Sequence, residues 1–509
     1  MDRRDFLKLL PLVPLSLAVG GEARTRPGVA AGAGAAGPNV LVLLFDALAA
    51  RNMSLYGYPR RTTPNMERFA RRATVYHAHH AAGNFTTPGM ASILTGLYPW
   101  SHRAMHLDGR ITPAHRAHNL FRLFQGGHSR IAFPHNTLGH ILLQGLRDDI
   151  DVYLPPGQFG LDGGTLPAGA FPRDAEISYR SFEKFLFRDW TYPGSLFLAL
   201  TDRLRLMGYE RIDGEALGEL YPRGLPTLVQ HKWFFLLPDV VDGVMDTVGR
   251  ARRPFLAYLH LFPPHEPYCP PQDYIGRYDD GWAPPAKPSH FFSAGNSQEE
   301  LNEGRTQYDE YLAFADDEFG RLYDFLEGSG ILDTSYVILT SDHGQLFERG
   351  VHGHVNELLY EPLLHVPLLI SCPGQRQRVD VHTPTSCVDL LPTLLAAFGQ
   401  PVPDWCQGQV LPGPGGSTDT GERSIFALEA KGSAVYRPLS PGTVALIRGR
   451  HKLIHYFGYP GYEDEYELYD LENDPEELED RYGVDRDIAS ELEHELEQKL
   501  QEVNRPYEG

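Results

Sequence analysis

Positive charge, cysteine and long apolar runs are all scarce in this chain, and each shortage removes a class of function. Lysine and arginine number 46 against 66 aspartates and glutamates over 509 residues, a formal charge of −20. Nucleic acid selects basic surfaces, so no nucleic-acid partner is expected. An anionic substrate has to be held by a local positive site, such as a metal, against this unfavourable field. The four cysteines, Cys269, Cys372, Cys387 and Cys406, show no C-x-x-C spacing and no zinc-site pattern, and their pairing stays open. After the N-terminus no segment reaches about 18 uncharged apolar residues, so no stable transmembrane segment is expected in the mature chain. What is present is an ordinary globular composition, 42% hydrophobic and 22% charged. The length accommodates one large domain and a smaller one.

The N-terminal stretch M-D-R-R-D-F-L-K-L-L-P-L-V-P-L-S-L-A-V-G sets Arg3 and Arg4 ahead of a short apolar run. That is the pattern of a twin-arginine export signal, and the Gly/Ala-rich stretch to Gly37 reads as a flexible leader. Export by the twin-arginine machinery, to the periplasm or beyond, is expected. From Asn39 short apolar runs alternate with helical patterns. Strands are expected at Asn39–Asp46, Ser129–Phe133, Arg253–Leu261, Ser335–Thr340 and His365–Ile370. Helices are expected at Thr63–Ala73, Asn119–Phe124, Thr306–Glu327 and Asp389–Gly399. This alternation predicts an α/β domain over 38–400, with a mostly parallel sheet flanked by helices. Residues 154–233 read as an insertion or lid near the site, whose aromatic stripe is more simply core than lipid contact. Residues 401–423 read as a linker, and 424–509 as a small α+β subdomain.

In parallel sheets ligands gather beyond the carboxyl ends of the strands. Asp46 closes one strand and the pair Asp342-His343 follows another, so all three fall at that edge. Two hard carboxylates and one imidazole suit a divalent metal. The stretch A-G-N-F-T-T-P-G-M-A-S-I-L-T-G-L-Y-P from Ala82 raises a second question. Thr86 and Thr87 stand before Pro88 and a helix, so they read either as a helix cap or as a nucleophile.

These segments, in this order, resemble the sulfatase family of the alkaline phosphatase superfamily. The matching stretches are N-V-L-V-L-L-F-D, Y-G-Y-P-R-R-T-T-P-N-M-E-R-F-A, T-T-P-G-M-A-S-I-L-T-G-L-Y-P, Y-L-H-L-F-P-P-H-E-P-Y and V-I-L-T-S-D-H-G-Q-L-F-E-R-G-V-H-G-H. The tail segments R-G-R-H-K-L-I and E-L-Y-D-L-E-N-D-P-E-E-L resemble that family's small C-terminal domain. The resemblance implies metal ligands at Asp46, Asp342 and His343, with Thr86 at the nucleophile position and also on the metal. It implies a substrate contact at His265, and a leaving-group or substrate histidine at His354 or its neighbour His352. The chain departs from the family at three places. Thr86 stands where sulfatases carry a cysteine that becomes formylglycine, Met90 replaces the arginine of that signature, and His135 stands in for a lysine.

A hydroxyl nucleophile needs ionisation, and metal coordination lowers the pKa of bound water from about 15.7 to about 7. Threonine cannot expel sulfate by collapsing to an aldehyde, so its ester must be cleaved by a second attack at sulfur or phosphorus. That chemistry favours a phosphate ester. With no fixed cation at Met90 or His135, a monoanionic group such as a phosphodiester fits better than a dianion. The expected function is therefore an exported hydrolase of a sulfate or phosphate ester, phosphoester or phosphodiester favoured. Its cofactor is one divalent ion (zinc, manganese, magnesium or calcium), and its substrate a small-molecule, glycan or lipid-headgroup ester. Two other readings compete: a phosphoryl transferase to an alcohol acceptor, and a catalytically silent anion- or glycan-binding protein.

Overall fold

The computed structural model describes residues 37–161, 217–228, 233–413 and 423–508. The twin-arginine segment and leader, most of the 154–233 insertion and the middle of the 401–423 linker lie outside the described residues. The run Asn39–Asp46 forms strand β1 and is buried along its whole length. Val40, Val42 and Leu44 enter one core, while Leu41, Leu43 and Phe45 enter another. A strand covered on both faces needs an apolar residue at every position, which is why this run shows no polar alternation.

β1 lies inside an eight-stranded sheet. The other strands are β2 (Thr74–Tyr76), β3 (Ser129–Pro134), β4 (Val152–Tyr153), β5 (Phe255–Pro264), β6 (Ser335–Ser341), β7 (Leu368–Ser371) and β8 (Val379–Val381). Their spatial order is β8-β2-β7-β6-β1-β5-β3-β4. β1 runs parallel to β5 and β6, β3 runs parallel to β5 and β4, and β8 runs parallel to β2. β7 runs against both its neighbours. A parallel return needs a long crossover, usually a helix. Between β6 and β7 the chain holds only a small hairpin, Leu346–Glu348 with Val351–Gly353, and the turn Glu361–Leu364. That turn runs into His365, whose N–H bonds Glu361 O, so the strand expected at His365 begins at Leu368.

Helices cover both faces. On the first core pack α2 (Thr86–Thr95), α3 (Thr137–Gln144) and α6 (Leu390–Ala397). On the second pack α1 (Pro64–Ala70), α4 (Leu237–Arg250) and α5 (Gln298–Gly328). Helix α5 starts eight residues before the expected Thr306, after a capping box of Ser297 and Glu300. Its first turns carry one buried apolar side chain, Leu301, so the sequence has no apolar stripe there to read.

The C-terminal unit is an antiparallel sheet of β9 (Ser424–Glu429), β10 (Gly442–Arg448), β11 (His451–Phe457) and β12 (Glu465–Asp470). Helix α7 (Arg486–Asn504) closes it with Ala489, Leu492 and Leu496. The fully buried Lys452 on β11 binds Glu361 at 3.0 Å and Glu477 at 2.8 Å, tying this sheet to the large one.

Candidate active site

Because β1, β3, β5 and β6 are mutually aligned, Asp46, His135, His265 and the pair Asp342-His343 all emerge at one edge of the sheet. Asp46, Asp342 and His343 are fully buried. They can each turn a ligand atom into one space, with those atoms within 4.8 Å of one another. The hydrogen bonds show which atoms these are. Asp342 Oδ1 accepts from the N–H groups of His343 at 3.1 Å and Ala47 at 3.4 Å. Asp46 Oδ2 accepts from Asn136 Nδ2. The remaining oxygens, Asp46 Oδ1 and Asp342 Oδ2, have no hydrogen-bond donor among the described residues. His343 donates its Nδ1–H to Gly344 O at 2.8 Å, which leaves the Nε2 lone pair facing them, 3.4 Å from Asp46 Oδ1 and 3.7 Å from Asp342 Oδ2. Two orphaned buried carboxylate oxygens converging with an imidazole lone pair fit a divalent cation in both charge and donor type.

The protein alone balances this cluster only partly. Burial pushes Asp342 up, and the charge of Asp46 pushes it further. Burial acts the same way on Asp46, but the neighbouring histidines His265, His260 and His343 outweigh it and hold Asp46 well below the usual carboxylate range. Burial lowers His343, yet the negative charge of Asp342 and Asp46 raises it overall. A cation between them answers the same negative field.

Thr86 opens α2. The N-cap is Phe85, and no side chain caps the helix, so neither threonine is a cap. The Thr87 hydroxyl donates to Leu107 O at 2.7 Å and is committed to the fold. Thr86 Oγ1 instead stands 3.4 Å from His343 Nε2, with its side chain buried. The uncapped first turn leaves backbone N–H groups and the positive end of the helix dipole beside that oxygen. α2 can approach this closely because of Gly89: a Cβ there would lie 2.2 Å from the carbonyl oxygen of Asp342.

The sequence-selected histidines divide. The His354 ring lies tilted 4.3 Å from that of His343, and its centre is 4.7 Å from that of His265. His354 Nδ1 donates to Gln345 Oε1 at 2.6 Å, and Gln345 Nε2 donates to the Tyr268 hydroxyl at 2.6 Å. This chain keeps the His354 proton on Nδ1 and its lone pair on Nε2. Burial, then the charges of His343 and His265, hold His354 well below the usual histidine range. His265 is fixed the same way, donating Nδ1–H to Glu266 O at 2.6 Å. His352, 33% exposed, stands outside this group: it faces Glu266 at 3.8 Å and stacks on Phe347. His135 lies in an aromatic box of Phe133, Phe235 and Phe262, and burial lowers its pKa to about 3. It is a neutral ring and supplies no positive charge.

A sulfatase family model matches residues 38–140 and 218–400, more than half of the chain. The chain belongs to the sulfatase family. It is 24% identical over 472 residues to the choline-sulfatase of Rhizobium meliloti (strain 1021), covering 87% of this chain and 81% of that protein. It is 23% identical over 406 residues to the uncharacterized sulfatase YidJ of Escherichia coli (strain K12), covering 74% and 70%. The phosphonate monoester hydrolase of Agrobacterium radiobacter shares the fold, with a TM-score of 0.63 at 20% identity over 92% of this chain and 96% of that one. This sulfatase-family chain is thus a hydrolase acting on sulfuric or phosphoric ester bonds, on an alkaline phosphatase-like sheet with a small C-terminal antiparallel sheet.

Three residues at this sulfatase-family site escaped the sequence reading. His260 sits in β5 with Nε2 3.2 Å from Asp46 Oδ2. Asn136 holds Asp46 Oδ2 while its own Oδ1 caps α3 at Leu138 and Gly139. Gln345 orients His354. Asn136 follows His135 and Gln345 lies two residues after His343, and that proximity is the only signal the sequence carries. His260 sat inside an apolar run, where the sole hint was a polar residue in step with Leu256 and Tyr258.

Proposed function

We propose that this protein is an exported, metal-dependent hydrolase of a monoanionic phosphate or sulfate ester, phosphodiesters favoured, in which Thr86 is the nucleophile. The observation that carries the reading is the buried Thr86 hydroxyl 3.4 Å from His343 Nε2, the ring nitrogen that Asp46 Oδ1 and Asp342 Oδ2 also approach. A divalent cation held by Asp46, Asp342, His343 and Thr86 supplies Lewis acidity there, easing ionisation of a hydroxyl and drawing in an anionic ester oxygen.

Thr86 Oγ1 gives up its proton and attacks phosphorus or sulfur in line with the leaving oxygen. Neutral His354 takes up that proton at Nε2, its Nδ1 being occupied by Gln345, and returns it to the departing alcohol. His265, whose ring centre lies 4.7 Å from that of His354, orients the anion. The N–H groups of the first turn of α2 receive charge that develops on the non-bridging oxygens. Water then gives a proton to His354 Nε2 and attacks the same phosphorus or sulfur, and the bond to Oγ1 breaks as that proton passes to Oγ1 and restores Thr86.

Met90 supports the monoanionic preference. Where sulfatases carry an arginine, this side chain is fully buried and packs towards Gly139, and it offers no charge. Export is proposed from the Arg3-Arg4 segment and its apolar run. The test is turnover of aryl sulfate, aryl phosphate and bis-aryl phosphate, each with and without chelator, alongside Thr86→Ala. Chelator-sensitive cleavage of the diester, lost in the variant, is the expected result. Preferential cleavage of the sulfate contradicts the choice of substrate. Turnover unchanged in the variant removes Thr86 as nucleophile.

A further inference from the structure

His260 takes no part in the chemistry above, yet it is fully buried against the metal carboxylates. Its Nε2 lies 3.2 Å from Asp46 Oδ2 and 3.9 Å from Asp342 Oδ2. Neither ring nitrogen has a well-formed hydrogen bond among the described residues. The opposite edge of the ring is walled by Met90 and by the head of α3. A Cβ on Gly139 would sit 3.2 Å from His260 Nδ1 and 2.9 Å from Met90 Sδ. The one polar direction open to this imidazole is therefore towards Asp46 and Asp342. An imidazole without good partners is costly in a core, and a site that keeps one asks for a reason.

The backbone accounts for its placement. Strand β5 pairs in register with β1, His260 opposite Leu44, so His260 shares the face of Tyr258 and Leu256 under α2 and α3. The register then slips by two residues on β5, with Asp46 opposite Pro264 rather than Phe262, and the Asp46 carboxylate lies beside the His260 ring. The carboxylate oxygen nearest His260 is Asp46 Oδ2, which also accepts from Asn136. His343 Nε2 instead approaches the other oxygen, Oδ1. His260 thus reaches Asp46 at 3.2 Å on the oxygen that His343 does not approach, and comes only within 3.9 Å of Asp342 Oδ2.

We propose that His260 is a positioning residue of the metal centre. Its Nε2–H edge, set between Asp46 and Asp342, works with Asn136 to clamp Asp46 through Oδ2. The clamp leaves Oδ1 and Asp342 Oδ2 aimed at a divalent cation before that cation arrives. Two buried carboxylates facing one space repel each other, and a donor between them offsets that repulsion without occupying a coordination position. This inference rests on the metal site proposed above and assigns it a fifth protein residue.

The experiment uses the full mature chain, metal-stripped and reloaded, as wild type, His260→Leu and His260→Gln. Zn²⁺ affinity is measured by chelator competition, Co²⁺ loading by visible absorption, and unfolding of each metal-free protein by thermal melt. Loss of a positioning donor weakens Zn²⁺ binding about 10–100-fold in His260→Leu. The metal-free protein should still fold and melt cooperatively, and the Co²⁺ bands at saturation should match wild type. His260→Gln, which keeps an N–H at similar reach, should recover most of the affinity. Unchanged Zn²⁺ affinity in His260→Leu overturns the proposal. So does a Co²⁺ spectrum that has lost a nitrogen ligand, which makes His260 a ligand instead. If wild type binds neither ion, the metal site itself fails and the clamp fails with it.

Discussion

The Thr86 hydroxyl stands 3.4 Å from His343 Nε2, while that of its neighbour Thr87 is bound to the carbonyl of Leu107. One peptide unit thus separates a group free to react from a group used to hold a turn. The difference follows from the helix: both residues lie in its first turn, about 100° apart around the axis, so only one can face the sheet edge.

Thr86→Ala should therefore lower kcat on the order of 10⁴-fold while leaving the fold intact. Thr87→Ala should keep most of the turnover and lose about 1 kcal/mol of stability with its hydrogen bond. Steady-state kinetics and thermal melts of the two variants decide it. Comparable activity losses in both would mean that the first turn, rather than the Thr86 oxygen, matters.

Gly89→Ala should destabilise the protein, reversing the usual sign of that change. In an open helix the substitution gains up to about 1 kcal/mol. Here the new Cβ meets backbone, 2.2 Å from the Asp342 carbonyl oxygen, and neither partner can rotate away. A loss of about 3 kcal/mol is expected, together with weaker metal binding because Asp342 must shift. Melting temperature and metal stoichiometry measured on one preparation check both parts.

Removing the metal from the loaded protein should lower its stability, and removing the Asp342 charge should raise that of the metal-free protein. Chelator should lower the melting temperature by stripping a ligand bound only by the folded state. Asp342→Asn should raise the melting temperature of the metal-free form, because burial and the charge of Asp46 both disfavour its ionised carboxylate. The same variant should lose the stabilisation that metal gives wild type. A metal-free Asp342→Asn protein that melts lower than metal-free wild type would contradict the account.

Acid should destabilise the fold from about pH 6.5 downwards. Burial holds His102, His290 and His365 at about 3, and His79 well below its ordinary value. The unfolded chain then binds more protons than the folded one between about pH 6.5 and 3. Stability falls as pH falls through that window, by up to about 1.4 kcal/mol per histidine per pH unit. Asp316 and Glu467, raised by burial to about 7, act oppositely, since the folded state takes up their protons first. With His135, also held at about 3, five histidines outweigh two carboxylates below the free histidine value, so melts at pH 6.5, 6.0 and 5.5 should show a decreasing midpoint.

Much of the fold was legible because its signals are local. The apolar runs of β1, β5 and β6 and the polar residues that end or follow them announce strands buried on both faces with a polar edge, and they lie within a few residues of the expected bounds. The start of α5 was not legible, since its first turns contact little core. The reversed direction of β7 was not legible either, because strand direction depends on the path of the connection. At the site, residue type and strand-end position picked out Asp46, Asp342 and His343.

The sequence by itself determined which chemistry is present: two carboxylates and a histidine at strand ends, a threonine before a helix, and no arginine or lysine beside it in that signature. Only the tertiary structure decided which atoms meet. It set His354 rather than His352 against His343, committed Thr87, and brought His260 and Asn136 from separate strands and helices onto one oxygen of Asp46. The physical reason is range. Burial pattern and capping act over a few residues and leave their mark in local sequence. The direction of a lone pair is fixed by partners far away in the chain, which come within 3 to 4 Å only when the sheet is assembled.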